Sequence, residues 1–396
     1  MIGPANWLPA DGLDLEPNAY AAVKEIEQNI ALTAGPGAGK TEMLAQRADF
    51  LLRTGSCRYP KRILAISFKV DASQNLKDRV RKRCGLERAV RLDSQTFHAF
   101  AKCVIDRSRI VLTGQDELDP DYAIGEFRIP KRLITFEDMV PLAVQIIASS
   151  RIARNAIRQT YKYVFLDEFQ DCTSAQYRLI KECFLGTNTR LTAVGDTKQR
   201  IMGWAGALEG IFETYTHDFG ARSLNLYQNF RSAPRLRRMQ NAMVRVMDKP
   251  AAVNDGDLQG DDGEIGILRF RDDEEEANAV ADAVYAWIEN ENVCPSEIAV
   301  LVGKQQKLYC QELRTALEAR GVPFRDEDDV QNLASEPVAK LIVDFLLVAA
   351  GRRQPAPYRR LLELVVFGLG LDPQPEYRAR SRWDRFVAGV QKRSIS

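Results

Sequence analysis

The stretch IALTAGPGAGKT, residues 30–41, decides the fold. Residues 30–33 have strand character, a glycine-rich turn follows, and Leu44, Ala48, Leu51 and Leu52 then recur at helical spacing. Such a loop must turn sharply and bring backbone N–H groups close to an anion, which side chains would obstruct. Gly37 and Gly39 supply that clearance, and the dipole at the start of the next helix favours phosphate. Lys40 is placed to reach the β- and γ-phosphates of a nucleotide, and the Thr41 hydroxyl to hold Mg2+. Ala34, Gly35, Pro36, Gly37, Ala38, Gly39, Lys40 and Thr41 are therefore the candidate nucleotide loop, with Ala34 where such loops usually begin on glycine. A chance Lys-Thr after a glycine turn is the bland alternative, and the strand–loop–helix setting disfavours it.

Working outward, short apolar runs at 63–67, 163–166, 191–194 and 223–226 alternate with helical patterns, the signature of a parallel sheet with crossover helices. The expected fold is α/β, a P-loop NTPase (RecA-like) parallel sheet with a helical insertion. The run at 163–166 delivers Asp167 and Glu168 at its C-terminal end, where ligands sit in open α/β sheets. Asp167 would bind the metal, and Glu168 would orient and deprotonate an attacking water. Another strand ends in VGDTKQ, residues 194–199, whose polar side chains can report a γ-phosphate. Between 102 and 133 charges and turn residues cluster, which predicts an inserted subdomain dividing a first motor domain into 1–101 and 134–250. The acidic, glycine-rich stretch within 251–264 reads as a linker. Beyond it, strands at 265–270 and 298–302 and an amphipathic helix through Ala277, Val284 and Ile288 predict a second α/β unit over 265–350.

Length and composition fit this picture. A chain of 396 residues predicts two or three domains, and 45% hydrophobic with 28% charged residues is an ordinary globular mixture. No apolar run approaches the ~20 residues that span a bilayer, and the N-terminus is acidic and proline-containing where a signal peptide would be basic and then apolar. No membrane partner and a cytoplasmic location are expected. The seven cysteines are scattered without a CxxC pair, which excludes a zinc ribbon or disulfide framework on spacing. Net charge is +1, but RVRKR at 79–83 and RLRR at 235–238 are locally basic, each a candidate anion contact or a solvated helix face.

Taken together, the motifs resemble the UvrD/Rep family of superfamily 1A DNA helicases over residues 13–348. DEFQD at 167–171 is similar to that family's DExQD box, GDTKQRIMGWAGA at 195–207 to GDxxQSIYxFRGA, and QNFRS at 228–232 to QNYRS. TFH at 96–98 matches directly, and ISF at 66–68 opens the single-strand-contacting segment. The resemblance implies an ATP-dependent, Mg2+-requiring, 3′-to-5′ single-stranded-DNA translocase or helicase. It implies that residues 265–350 are part of a second RecA-like domain, that Arg231 is an arginine finger, that Gln199 contacts the γ-phosphate, and that Phe230 stacks on the base. Phe68, His98 and Trp204 would contact single-stranded DNA, although for aromatic residues taken alone burial is the commoner fate.

The departures from that pattern matter as much. Ala19 falls on the family's adenine-reading glutamine, with Asn18 beside it as a partial substitute. Asp71 stands where a lysine is usual, with Lys69 nearby, and Met202 and Ala205 replace a tyrosine and an arginine. Residues 351–396 resemble the start of the family's helical 2B insertion, and the TxHxxKG and TRA segments do not follow. From that, the expectation is nucleotide and DNA binding with weak hydrolysis and no processive unwinding. A second reading, different in class, is a nucleotide-sensing DNA-binding subunit regulating a partner nuclease without unwinding; the chain also resembles the helicase-like subunit of anti-phage systems such as Gabija.

Overall fold

A computed structural model describes residues 2–199, 203, 206–247, 252, 254, 256, 258–303, 305–326, 337–350, 357, 358 and 361. The chain divides into two compact units, Met1–Ile265 and Gly266–Ser396.

In the first unit the apolar runs pair as expected. After helix α1 (Pro17–Lys24) come β1 (Ile30–Ala34), α2 (Lys40–Arg53), β2 (Arg62–Ser67), α3 (Val70–Cys84), the short α4 (Leu86–Ala89), β3 (Leu92–Thr96) and α5 (Phe97–Ser108). Strands β4 (Leu118–Ile124) and β5 (Lys131–Ile134) form a separate pair, followed by α6 (Met139–Ser149), α7 (Arg151–Thr160) and β6 (Tyr161–Leu166). Then follow α8 (Ser174–Phe184), β7 (Arg190–Gly195), α9 (Ile211–Phe219), β8 (Arg222–Leu226) and α10 (Pro234–Met247). The main sheet has the order β3-β2-β6-β7-β1-β8, with every pairing parallel.

Parallel sheets are covered on both faces, and the strands divide their side chains accordingly. In β6, Tyr163 and Phe165 enter the core beneath α1, α2 and α3, while Val164 and Leu166 enter the core beneath α5, α6 and α8. All four are at most 2% exposed, each large side chain contributing roughly 1.5–3 kcal/mol. Helix α2 is buried along Met43–Leu52 on almost every side, because α1 and α3 flank it over the sheet.

The expected division at 101/102 falls inside α5, and Val104, Ile105, Leu112, Leu118 and Tyr122 share the main core. β4 and β5 form their own two-stranded sheet, yet Leu118 and Tyr122 of β4 and Ile134 of β5 pack into that same core. The sequence LDSQT lacks an apolar run and predicts no strand; β3 forms at the sheet edge, paired with β2 alone, and only its Leu92 is buried.

The second unit departs from expectation. Helices α11 (Asp273–Glu291), α12 (Gln306–Tyr309) and α13 (Gln311–Ala319) form, and Ala277, Ala281, Val284, Leu317 and Val322 make a small core. The strands expected at 265–270 and 298–302 do not form among the described residues. A strand exists only through its ladder, and Ile267 (87% exposed) and Leu301 (91%) have neither ladder nor covering layer there. Of residues 351–396, the region expected to begin a helical insertion, nearly all lie outside the described residues.

Candidate nucleotide and nucleic-acid site

The C-terminal ends of the parallel strands gather the chemistry. β1 lies between β7 and β8, but the chain then crosses to β2 on the far side of β6, so the loop after β1 opens at a reversal of strand order. In that loop Gly37 has φ 72° and Gly39 φ 77°, the left-handed region in which glycine costs least. At Gly37 a Cβ would also collide with the Asn229 side chain. Lys40 Nζ turns back toward the Ala34 and Gly35 carbonyls, 3.4 Å from each.

Around this loop lies a cleft of about 500 Å3. Residues 36–41 line it together with Glu168, Gln199, Phe230 and Arg231, so residues drawn from four separate strand ends share one cavity. Leu13, Leu15, Glu16 and Ala19 close the side remote from Glu168's strand. Asn18 is not part of the lining: its amide donates to the Asn225 carbonyl at 2.7 Å, which removes it as a substitute for the glutamine replaced by Ala19.

Asp167 is buried at the end of β6, its N–H donating to the Ile66 carbonyl and one carboxyl oxygen accepting from Glu168 N at 3.1 Å. Burial, with the neighbouring Glu168 charge, pushes its carboxyl up to about 6; Lys40 and the Glu168 N–H pull the other way. A buried acid of this kind beside a phosphate loop suits a divalent cation, which would reverse that shift. Mg2+ usually takes one or two protein groups and completes its shell with phosphate oxygens and water. Thr41 and Asp167 fit that requirement, and no cluster of three or more metal-ligating side chains occurs among the described residues.

Glu168 has φ 50°, a left-handed conformation unusual outside glycine, which turns the chain sharply as it leaves the strand. Gln170 Nε2 donates to its carboxylate at 2.9 Å, while Gln170 Oε1 accepts from Asp196 N at 3.0 Å. One buried amide thus ties the tip of β6 to the tip of β7. Gly195 makes room for it, since a Cβ there would overlap the Gln170 oxygen. Phe169 anchors the turn edge-to-face against Phe212 and Tyr215.

Phe68 and His98 sit just past the ends of neighbouring β2 and β3, whose last residues Ser67 and Thr96 are in register. Thr96 caps α5 by accepting from Ala99 N, which fixes His98 in the first turn. His98 stacks on Phe136 with ring centroids 3.8 Å apart, and Phe136 is 57% exposed. Phe136 was missed because a phenylalanine after β5 carries no motif; its exposure is what marks it. Burial holds the His98 imidazole below its usual range. Trp204, Met202 and Ala205 lie outside the described residues.

The ion pairs made by the basic run at 79–83 could not be read from sequence. Arg83, in the basic run at 79–83, is only 10% exposed, and it donates to Glu42 at 2.9 and 3.0 Å and to Asp11. Arg79, whose side chain stays 44% exposed, joins Glu42 at 3.1 Å, and both arginines contribute to the lining of the cleft. Asp71, by contrast, is exposed in the first turn of α3, where an acid favours the helix dipole.

Comparison with known proteins agrees with the motifs. The family model for the UvrD/REP helicase N-terminal domain matches residues 15–126 and 126–220, and that for the UvrD-like helicase C-terminal domain matches 224–374. The ATP-dependent DNA helicase Rep of Buchnera aphidicola subsp. Schizaphis graminum is 21% identical over 91% of this chain and 63% of its own length. Rep of Escherichia coli K12 is 24% identical over 69% of this chain and 49% of its own, and DNA helicase II of the same strain 22% over 88% and 56%. The chain therefore spans about half to two-thirds of the length of these relatives. A solved unliganded Pif1 from Bacteroides sp aligns over 62% of this chain and 48% of that one at a TM-score of 0.31 and 12% identity, too remote to bear on the site.

Proposed function

Because this chain belongs to the UvrD/REP helicase family, we propose that its first unit binds and hydrolyses ATP with Mg2+ to drive movement along single-stranded DNA, in the 3′-to-5′ direction. One observation carries this reading: the glycine loop, Glu168, Gln199 and Arg231 line a single cleft. Residues 36–41 cradle the phosphates, with Lys40 swinging from the loop carbonyls to the β- and γ-phosphates. Mg2+, held by Thr41 and Asp167, would neutralise charge developing on the transferred phosphoryl group. Glu168, oriented by Gln170, accepts the proton of the attacking water. Arg231 stabilises the γ-phosphoryl charge, Gln199 reports its loss, and the exposed ring of Phe230 offers the base a stacking face.

The strand of DNA would cross the ends of β2 and β3, where Phe68 and the His98–Phe136 pair offer stacking surfaces that tolerate any base. The test is ATP hydrolysis with and without single-stranded DNA. Hydrolysis stimulated by DNA and lost in Glu168→Gln supports the motor. ATP-dependent DNA binding without turnover would overturn it in favour of a nuclease-regulating subunit in anti-phage defence.

A further inference from the structure

Glu16 occupies the N-cap position of α1, where a short polar side chain normally accepts from its own helix, yet it makes no such bond. Its carboxylate, 7% exposed, instead accepts from Tyr227 N at 3.2 and 3.3 Å and from Gln228 N at 3.0 Å, more than 200 residues away. A buried carboxylate is costly unless compensated, so these two donors define where it sits. They also begin the segment that carries Phe230 and Arg231.

The rest of that segment's backbone is equally committed. Phe230 N donates to the Gly37 carbonyl at 2.9 Å, and Asn229 Oδ1 accepts from Arg231 N and Ser232 N, each at 2.9 Å. The loop bearing the finger is thus held at two places, by the phosphate loop at one end and by Glu16 at the other. Glu16 itself lines the cleft beside Ala19, on the wall away from Glu168.

We infer that Glu16 is a positioning residue that sets Arg231 through the Tyr227–Gln228 backbone, so that the wall of the cleft and the finger are placed as one body. The inference rests on the ATPase reading given above. Two further anchors support it: Asn18 of the same helix donates to Asn225 O, and Arg47 of α2 donates to the Ala22 and Val23 carbonyls at the helix's other end. α1 is therefore fastened to the phosphate-loop helix and to the end of β8 together.

The test is DNA-stimulated ATP hydrolysis by the full chain in a double-mutant cycle. Glu16→Ala is expected to lower kcat about tenfold, and Glu16→Gln, which keeps an acceptor oxygen, less than about threefold. In an Arg231→Ala background Glu16→Ala should change kcat by less than about twofold, because its effect is exerted through the finger. Hydrogen exchange at the Tyr227 and Gln228 amides should accelerate in Glu16→Ala whether or not ATP turns over. A tenfold loss that persists without Arg231 means general destabilisation and overturns the inference, as does a Glu16→Ala enzyme with unchanged kcat. An unmodified chain that hydrolyses no ATP defeats the motor reading and takes this inference with it.

Discussion

The two units begin from the same kind of sequence, apolar β-branched runs alternating with amphipathic helices, and end differently. In the first, 163–166 became the centre of a six-stranded sheet with both faces sealed. In the second, 298–302 (IAVLV) is as apolar as that run and 265–270 (IGILRF) is broken only by Gly266 and Arg269, yet no ladder forms among the described residues and Ile267 and Leu301 stand in solvent. Helices α11 and α13 formed in both senses of the word, by period and by packing, because a helix satisfies its own backbone. A strand needs a neighbour.

Hydrogen exchange gives the sharpest way to break this comparison. Amides of β6 are expected to exchange at least about 10⁴-fold more slowly than those of residues 298–302, since the former open only with the whole unit. Equal protection in both would mean that the second unit holds a sheet after all. A second test asks whether the first unit carries its own transition-state chemistry. Arg231→Ala should reduce DNA-stimulated kcat about 10³-fold with little change in nucleotide affinity, measured by steady-state kinetics and by equilibrium binding. A loss of only a few-fold would move the decisive cation out of that unit.

Phe136→Ala should weaken single-stranded DNA binding by about 5- to 100-fold, the cost of one stacking platform, as read by fluorescence anisotropy. The smallest effect is on stability. The Asp167 carboxyl is raised to about 6 from 3.8, so between those values the folded protein holds the proton more tightly than the unfolded chain. Its contribution is in full below about pH 4 and is lost as pH climbs through about 6. Metal-free Asp167→Asn should therefore melt roughly 6–12 °C above the unmodified protein at pH 8, with the gap closing toward pH 4. A gap of opposite sign would show that Lys40 outweighs burial at that carboxyl.

Much of the candidate nucleotide site was legible because the requirements of such a site are local. A phosphate cradle needs glycines, a lysine and a hydroxyl within one turn, and a strand end can present Asp167 and Glu168 side by side. The resemblance supplied Arg231, Gln199 and His98 by order of motifs. What stayed hidden depends on distant partners. Glu16 reads as an ordinary acid before a proline, Arg83 as one charge in a run open to either an anion contact or a solvated face, and Phe136 as a lone aromatic. Each owes its place to a residue 38 to 212 positions away, respectively the Tyr227–Gln228 backbone, Glu42 and His98. The edge strand β3 escaped for a related reason: LDSQT joins the sheet through its backbone, and its side chains give no sign of it.

Gln170 has one more consequence. An amide is not symmetric: only its nitrogen end can serve the Glu168 carboxylate and only its oxygen end the Asp196 N–H. Turned over, it would face an acceptor with an acceptor and a donor with a donor. The crossbar between the two strand tips therefore has a fixed polarity, and a single side chain links the position of Glu168 to that of the segment leading to Gln199.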